Sequence, residues 1–265
     1  MMNKLLFASA TLFMAANVHT CANAAKWQWK LPIAAAKSAL QVEVCPLKYG
    51  KTWAYSFEID DGPASTLAVS QPLLARYQWN DAPPGVAGGT LRPFVGGAAV
   101  ILGSINTGNS TGLTYEQLDQ LKKSGWSFLD HSYWHSGNHW DPANFLKPED
   151  FKRELFWSQT IFAELLNDGR GATHFVFPNG DYHYGPYLEA YGLRSATRVG
   201  GSSPHNLRDS KLNFLDFNRN YLDESVWSQQ NNALSDLPAQ PQAGDFIIDF
   251  THGMDGDAQS ANNKR

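Results

Sequence analysis

The chain reads as an α/β domain built on a parallel sheet, and three observations predict it. Apolar runs at 53–59, 97–103, 126–130, 173–177 and 245–251 have strand length, and helical patterns at 66–77, 115–123, 148–167 and 185–192 fall between them. Strand and helix alternation of this kind implies parallel pairing with helical crossovers. Two of the strand runs end in residues capable of chemistry, Asp60-Asp61 and Asp130-His131, and that is where parallel α/β folds place their sites. Spacing alone leaves open a closed barrel or an open, doubly wound sheet.

The elements follow in order. Lys4 and the apolar stretch Leu5 to Ala16 precede the small-x-small site Ala22-Asn23-Ala24, which predicts a secretory signal peptide over residues 1–24 and a secreted or periplasmic protein. That stretch is too short and too rich in Ser, Thr and Ala to span a membrane, and no other stretch approaches its length. Cys21 lies in the predicted leader, so Cys45 is left alone and no intramolecular disulfide is expected. Cleavage after Ala24 leaves 265 − 24 = 241 residues, one domain over 25–265.

Trp53-Ala54-Tyr55-Ser56-Phe57 is aromatic enough for a strand, and Asn80 to Thr90 is a Pro- and Gly-rich loop before the strand Ala98 to Leu102. Thr114 is an N-cap ahead of an acidic first turn. Pro148-Glu149-Asp150 opens the longest helix, with Phe151, Leu155, Ile161, Leu165 and Leu166 as its apolar stripe. The last apolar run, 245–251, ends at His252.

The formal charge is −4, and becomes −4 − 1 = −5 once Lys4 leaves with the leader. A mildly acidic chain without a basic cluster argues against nucleic acid as a partner.

Asp60 and Asp61 are adjacent, and His131 and His135 are four positions apart. One helical turn would put both imidazoles on one face. A carboxylate with two imidazoles is a common facial ligand set for Zn²⁺ or Fe²⁺ that leaves positions open for water and substrate. The second carboxylate is then free to act as a base. Taken singly each half is weak: Asp-Asp-Gly-Pro is also a good surface turn, and His pairs at this spacing arise by chance. The joint occurrence carries the reading.

Four segments in order resemble the polysaccharide deacetylases, the NodB-homology or carbohydrate esterase family 4 fold. They are Tyr55 to Pro63, His131-Ser132-Tyr133-Trp134-His135, Phe177-Pro178-Asn179-Gly180 and Ile247 to His252. The resemblance implies a distorted (β/α)₇ barrel and an enzyme that hydrolyses acetyl groups from a carbohydrate. It implies one divalent ion, Zn²⁺ first, held by Asp61, His131 and His135. Asp60 would be the general base and His252 the general acid. Pro178, Gly180, Tyr182 and Trp134 would contact the substrate. An acetylated carbohydrate is the implied partner, with N-deacetylation of an N-acetylglucosamine-type glycan favoured. An O-acetyl esterase acting on a polysaccharide such as xylan, or an inactive glycan-binding member, are the alternatives.

The chain departs from the family pattern in three places. The arginine often found two positions before the third-motif proline is Val176 here, and Arg198 is either its replacement or a solvated charge. His139 follows the second motif as a loop residue near the groove or a further ligand. Only 13 polar residues follow His252, where the family continues with a helix, so the chain is expected to be C-terminally truncated and to lack its last helix or strand. That predicts an exposed face on 245–251, at Phe246, Ile248 and Phe250 or at Ile247 and Asp249.

Overall fold

The computed structural model of the chain describes residues 26–27, 42–43, 47–83, 85–105, 112–136, 146–199, 204–222 and 241–253. The predicted signal peptide, Cys21, Cys45 and His139 lie outside these residues.

Twelve strands are described: β1 (Lys26–Trp27), β2 (Val42–Glu43), β3 (Ala54–Ile59), β4 (Gln78–Asn80), β5 (Leu91–Pro93), β6 (Gly97–Val100), β7 (Ser127–Asp130), β8 (His174–Val176), β9 (Ser195–Val199), β10 (His205–Asn206), β11 (Phe217–Tyr221) and β12 (Asp245–Thr251). Seven of them run parallel in the order β3-β6-β7-β8-β9-β11-β12, and β12 pairs back onto β3. The sheet is therefore a closed, seven-stranded parallel barrel, the closed alternative of the two that spacing left open. β10 adds an antiparallel pairing at the start of β12, and β4 and β5 form a hairpin around the predicted 80–90 loop.

The helices are α1 (Gln71–Leu74), α2 (Tyr115–Lys123) and α3 (Pro148–Ile161), with a 3₁₀ helix at Tyr182–Tyr191. The predicted Thr114 cap is present, with Gln117 N–H donating to its hydroxyl at 3.3 Å and Thr114 N–H donating to the Gln117 side chain at 2.8 Å. The 66–77 pattern yields only a π turn at Thr66–Ser70 and the four-residue α1. In α3 and the π turn that continues it, the buried stripe is Phe151, Leu155, Ser158, Phe162 and Leu166, whereas Leu165 is exposed. The observed stripe steps by three or four, and Leu165 falls outside it.

The core has two layers. Phe57 and Ile59 point outward from β3 and pack with Leu118, Leu121, Leu155 and Phe162 of the surrounding helices. Ala99, Leu129 and Val176 form a separate small cluster on the opposite faces of their strands, inside the barrel. By the same alternation Glu58 and Asp60 point inward, and both are buried.

β12 does not show the predicted exposure. Ile247, Ile248, Asp249 and Phe250 are at most 3% exposed, and only Phe246 is partly open, with its ring 5.4 Å from Phe217. One edge of β12 pairs with β3 along its length, and the other is shared by β10 and β11, so the strand presents no free edge. Phe250 lies inside the barrel beneath the Arg219 guanidinium, 3.9 Å from its ring centroid. Asp249 accepts hydrogen bonds from Tyr55 Oη at 2.9 Å and Asn220 Nδ2 at 2.8 Å.

Candidate metal centre and active site

Asp61, His131 and His135 converge at the C-terminal mouth of the barrel. Asp61 follows β3, and His131 leaves β7 on the inward side. Asp61 Oδ1 lies 3.4 Å from His131 Nε2 and 3.5 Å from His135 Nε2, and one ligand atom from each residue falls within 4.8 Å of the other two. The imidazole centroids are 4.6 Å apart, edge to face.

The histidines meet by a different route from the predicted helical turn. Residues 131–136 form an irregular loop in which Ser132 (φ 63°) and His135 (φ 56°) are left-handed, which no α-helix tolerates. His135 N–H donates to Ser132 Oγ at 2.8 Å and closes the loop, and Ser132 N–H donates to Asp130 Oδ1 at 2.9 Å. Asp61 (φ 67°) and Asn179 (φ 53°) are left-handed as well, so four of the six described non-glycine residues with positive φ lie in the loops of this mouth. Strain of this kind concentrates where side chains must be aimed rather than merely packed.

The donor atoms fit a divalent cation. His131 Nδ1 is 2.8 Å from the Val176 carbonyl oxygen, which only accepts, so Nδ1 carries a proton and Nε2 is the ring nitrogen that faces Asp61. Asp61 Oδ1 is buried without a hydrogen-bond partner. Burial would raise the Asp61 carboxyl pKa, but the close approach of His131, with His252 and His135, holds it well below the usual carboxylate range. Burial first, and then the neighbouring His131, push the His135 pKa down to about 4. An ionised Asp61 carboxylate and a His135 imidazole kept neutral near pH 7 are protonation states that zinc ligation requires.

Beside this cluster Asp60 is held from inside the barrel. Arg219 Nη1 and Nη2 each donate to one Asp60 oxygen at 2.8 Å, and Nη1 also donates to Glu58 Oε2 at 3.0 Å. Burial opposes ionisation of Asp60, and the Arg219 charge, aided by His131 and His252, outweighs it and lowers the carboxyl pKa. Thr197 Oγ1 donates to Glu58 Oε2 at 2.9 Å and extends the network across the barrel.

Arg219 was not foreseen. It sits on β11, in the polar string Phe217-Asn218-Arg219-Asn220-Tyr221, which lacks the apolar run that marks a buried strand. Arg198 takes a different place: its guanidinium pairs with Asp216 at the surface, and Arg219 on the adjacent strand grips Asp60. Of the two readings open for Arg198, the partly solvated charge fits its position.

His252 follows β12 directly. Register pairs Thr251 with Ile59, and Asp60 N–H donates to the Thr251 carbonyl at 2.9 Å, so His252 emerges at the same mouth as Asp60. Its charge is felt by both Asp60 and Asp61.

Pro178 is buried, and Gly180 adopts φ 69° where a Cβ would stand 2.5 Å from Val199 Cγ2. Tyr182 is exposed, and its ring lies 5.2 Å from that of Phe177. With Phe151, Asp181, His183 and Tyr187 it lines a cavity of about 530 Å³ beside the Pro178–Gly180 loop. Trp134 is 57% exposed beside the two histidines.

Neither a family model nor a curated protein matches the chain. Among solved structures it is similar to a Streptococcus pyogenes deacetylase, PplD, in complex with acetate (20% identity, TM-score 0.48, 62% of each chain). It thus spans less than two thirds of that protein's length. It is also similar to the Xyl-CE4 domain of a multidomain xylanase from the hindgut metagenome of Trinervitermes trinervoides (16%, 0.45, 79% of this chain and 78% of that). A third is a family 4 carbohydrate esterase from Streptomyces lividans (16%, 0.45, 79% and 84%). All three are named as deacetylases or esterases or as a domain of that type.

Proposed function

We propose that the chain is an exported, metal-dependent hydrolase that removes acetyl groups from a carbohydrate, with N-deacetylation of an N-acetylglucosamine-type glycan as the favoured reaction. The observation that carries this reading is the convergence of three potential ligand atoms, from Asp61, His131 and His135, next to a carboxylate clamped by Arg219. Export rests on the sequence of residues 1–24.

A zinc ion held by Asp61, His131 and His135 would polarise the acetyl carbonyl and acidify a water molecule. Asp60 accepts the proton of the attacking water, and its bidentate clamp fixes the direction of that lone pair. His252, emerging on the opposite side of Asp60 from the histidine loop, protonates the departing amine or alcohol. Trp134 and Tyr182 supply exposed ring faces against which a sugar can stack, and the Pro178–Gly180 loop brings backbone close to it.

A panel of acetylated glycans tests the substrate assignment. Acetate release from N-acetylglucosamine oligomers is expected to exceed release from acetylated xylan. The reverse ranking would make the protein an O-acetyl esterase, and release from neither would leave a glycan-binding barrel without turnover.

A further inference from the structure

His135 occupies a left-handed conformation that a non-glycine residue keeps only when its surroundings impose it. Ser132 holds the amide of His135 itself, but the peptide units on either side are held from outside the loop. Trp134 N–H donates to Glu154 Oε2 at 3.1 Å. Tyr184 Oη lies 3.0 Å from the same Glu154 oxygen and 2.8 Å from the Ser136 carbonyl, so its one proton serves either acceptor. Glu154 is 4% exposed on α3 and Tyr184 is fully buried in the following 3₁₀ helix. The phenol is itself fixed by the rings of Phe151 at 4.7 Å and Phe175 at 5.1 Å.

A carboxylate buried this deeply is costly where an apolar residue of similar size would pack equally well. The bonds found for Glu154 go to the histidine loop and to the tyrosine that reaches the same loop. We infer that Glu154 and Tyr184 are positioning residues for His135: they grip the chain on both sides of the left-handed residue and keep its Nε2 aimed at the ion. The inference rests on the reading of Asp61, His131 and His135 as metal ligands. It adds that α3, which contributes no ligand, sets the affinity of the site.

The test is metal affinity, without any substrate. Zinc binding by the full chain is measured in competition with a chromophoric chelator, and the cobalt-loaded protein gives a visible spectrum that reports ligand geometry. Glu154→Leu removes the acceptor and is expected to weaken zinc binding by about 10–100-fold and to alter the cobalt spectrum. Glu154→Gln offers an amide oxygen to the same two donors and is expected to stay close to wild type. Tyr184→Phe should fall between the two. Thermal unfolding of the metal-free proteins shows which variants fold, and if Glu154→Leu does not, Tyr184→Phe decides alone.

Unchanged zinc affinity and an unchanged cobalt spectrum in the folded variants would overturn the inference while leaving the metal centre in place. A wild-type protein that binds no zinc would overturn the metal centre, and this inference with it.

Discussion

Asp60→Asn is expected to bind zinc like the wild type and to lose about 10²–10⁴-fold in acetate release. The substitution keeps the shape of the side chain and removes only the charge that accepts a proton. The metal cluster is unaffected because Asp60 is not among the three converging residues. Arg219 remains in place through Glu58, to which Nη1 donates at 3.0 Å. Measuring bound zinc and acetate release on the same preparation separates the two roles. Turnover at the wild-type rate in a zinc-loaded Asp60→Asn protein would remove Asp60 from the chemistry.

Arg219→Met is expected to have the largest effect on folding as well as on rate. The guanidinium is 1% exposed and is the cation between the inward-facing carboxylates of Glu58 and Asp60. Removing one side of a buried ion pair costs about 3–5 kcal/mol, because the remaining charges stay desolvated and unpaired. Denaturant unfolding measures that loss, and acetate release should fall in parallel, since a protonated Asp60 cannot act as base.

The pH dependence of stability should also invert. In the wild type the folded pKa of Asp60 lies below its unfolded value. Its contribution is therefore present above the usual carboxylate range and lost as pH falls through the lowered folded value. Without Arg219 burial raises the Asp60 carboxyl pKa above its unfolded value, so its contribution should be present in acid and lost as pH rises. A variant whose stability follows the wild-type pH profile would show that Arg219 does not hold this pair.

Much of this was legible in the sequence, for local reasons. Thr114, Pro148 and the apolar runs at 53–59 and 245–251 declare their elements through capping chemistry and hydrophobic content. The convergence of Asp61, His131 and His135 was legible because two weak strings occur together, each at a strand end. What stayed hidden depends on closure. β9 and β11 line a polar barrel interior, so Thr197 and Arg219 stand where a buried strand ordinarily shows aliphatic residues. A polar strand inside a ring of seven reads as a loop until its neighbours are known. The same closure explains why Arg219, rather than Arg198 on the next strand, reaches Asp60: Arg219 points into the barrel, and Arg198 points to the Asp216 side. The helical turn expected for His131 and His135 failed for another reason. Their spacing is compatible with a helix, but the Ser132 hydroxyl captures the His135 amide and makes a tighter, left-handed loop.

The most direct measurement is acetate release from one acetylated glycan by the same protein sample in three states: as purified, after a strong chelator, and after zinc is restored. Release should disappear with the chelator and return with zinc. Release that continues at full rate from protein stripped of metal would contradict the claim that Asp61, His131 and His135 act through a bound ion.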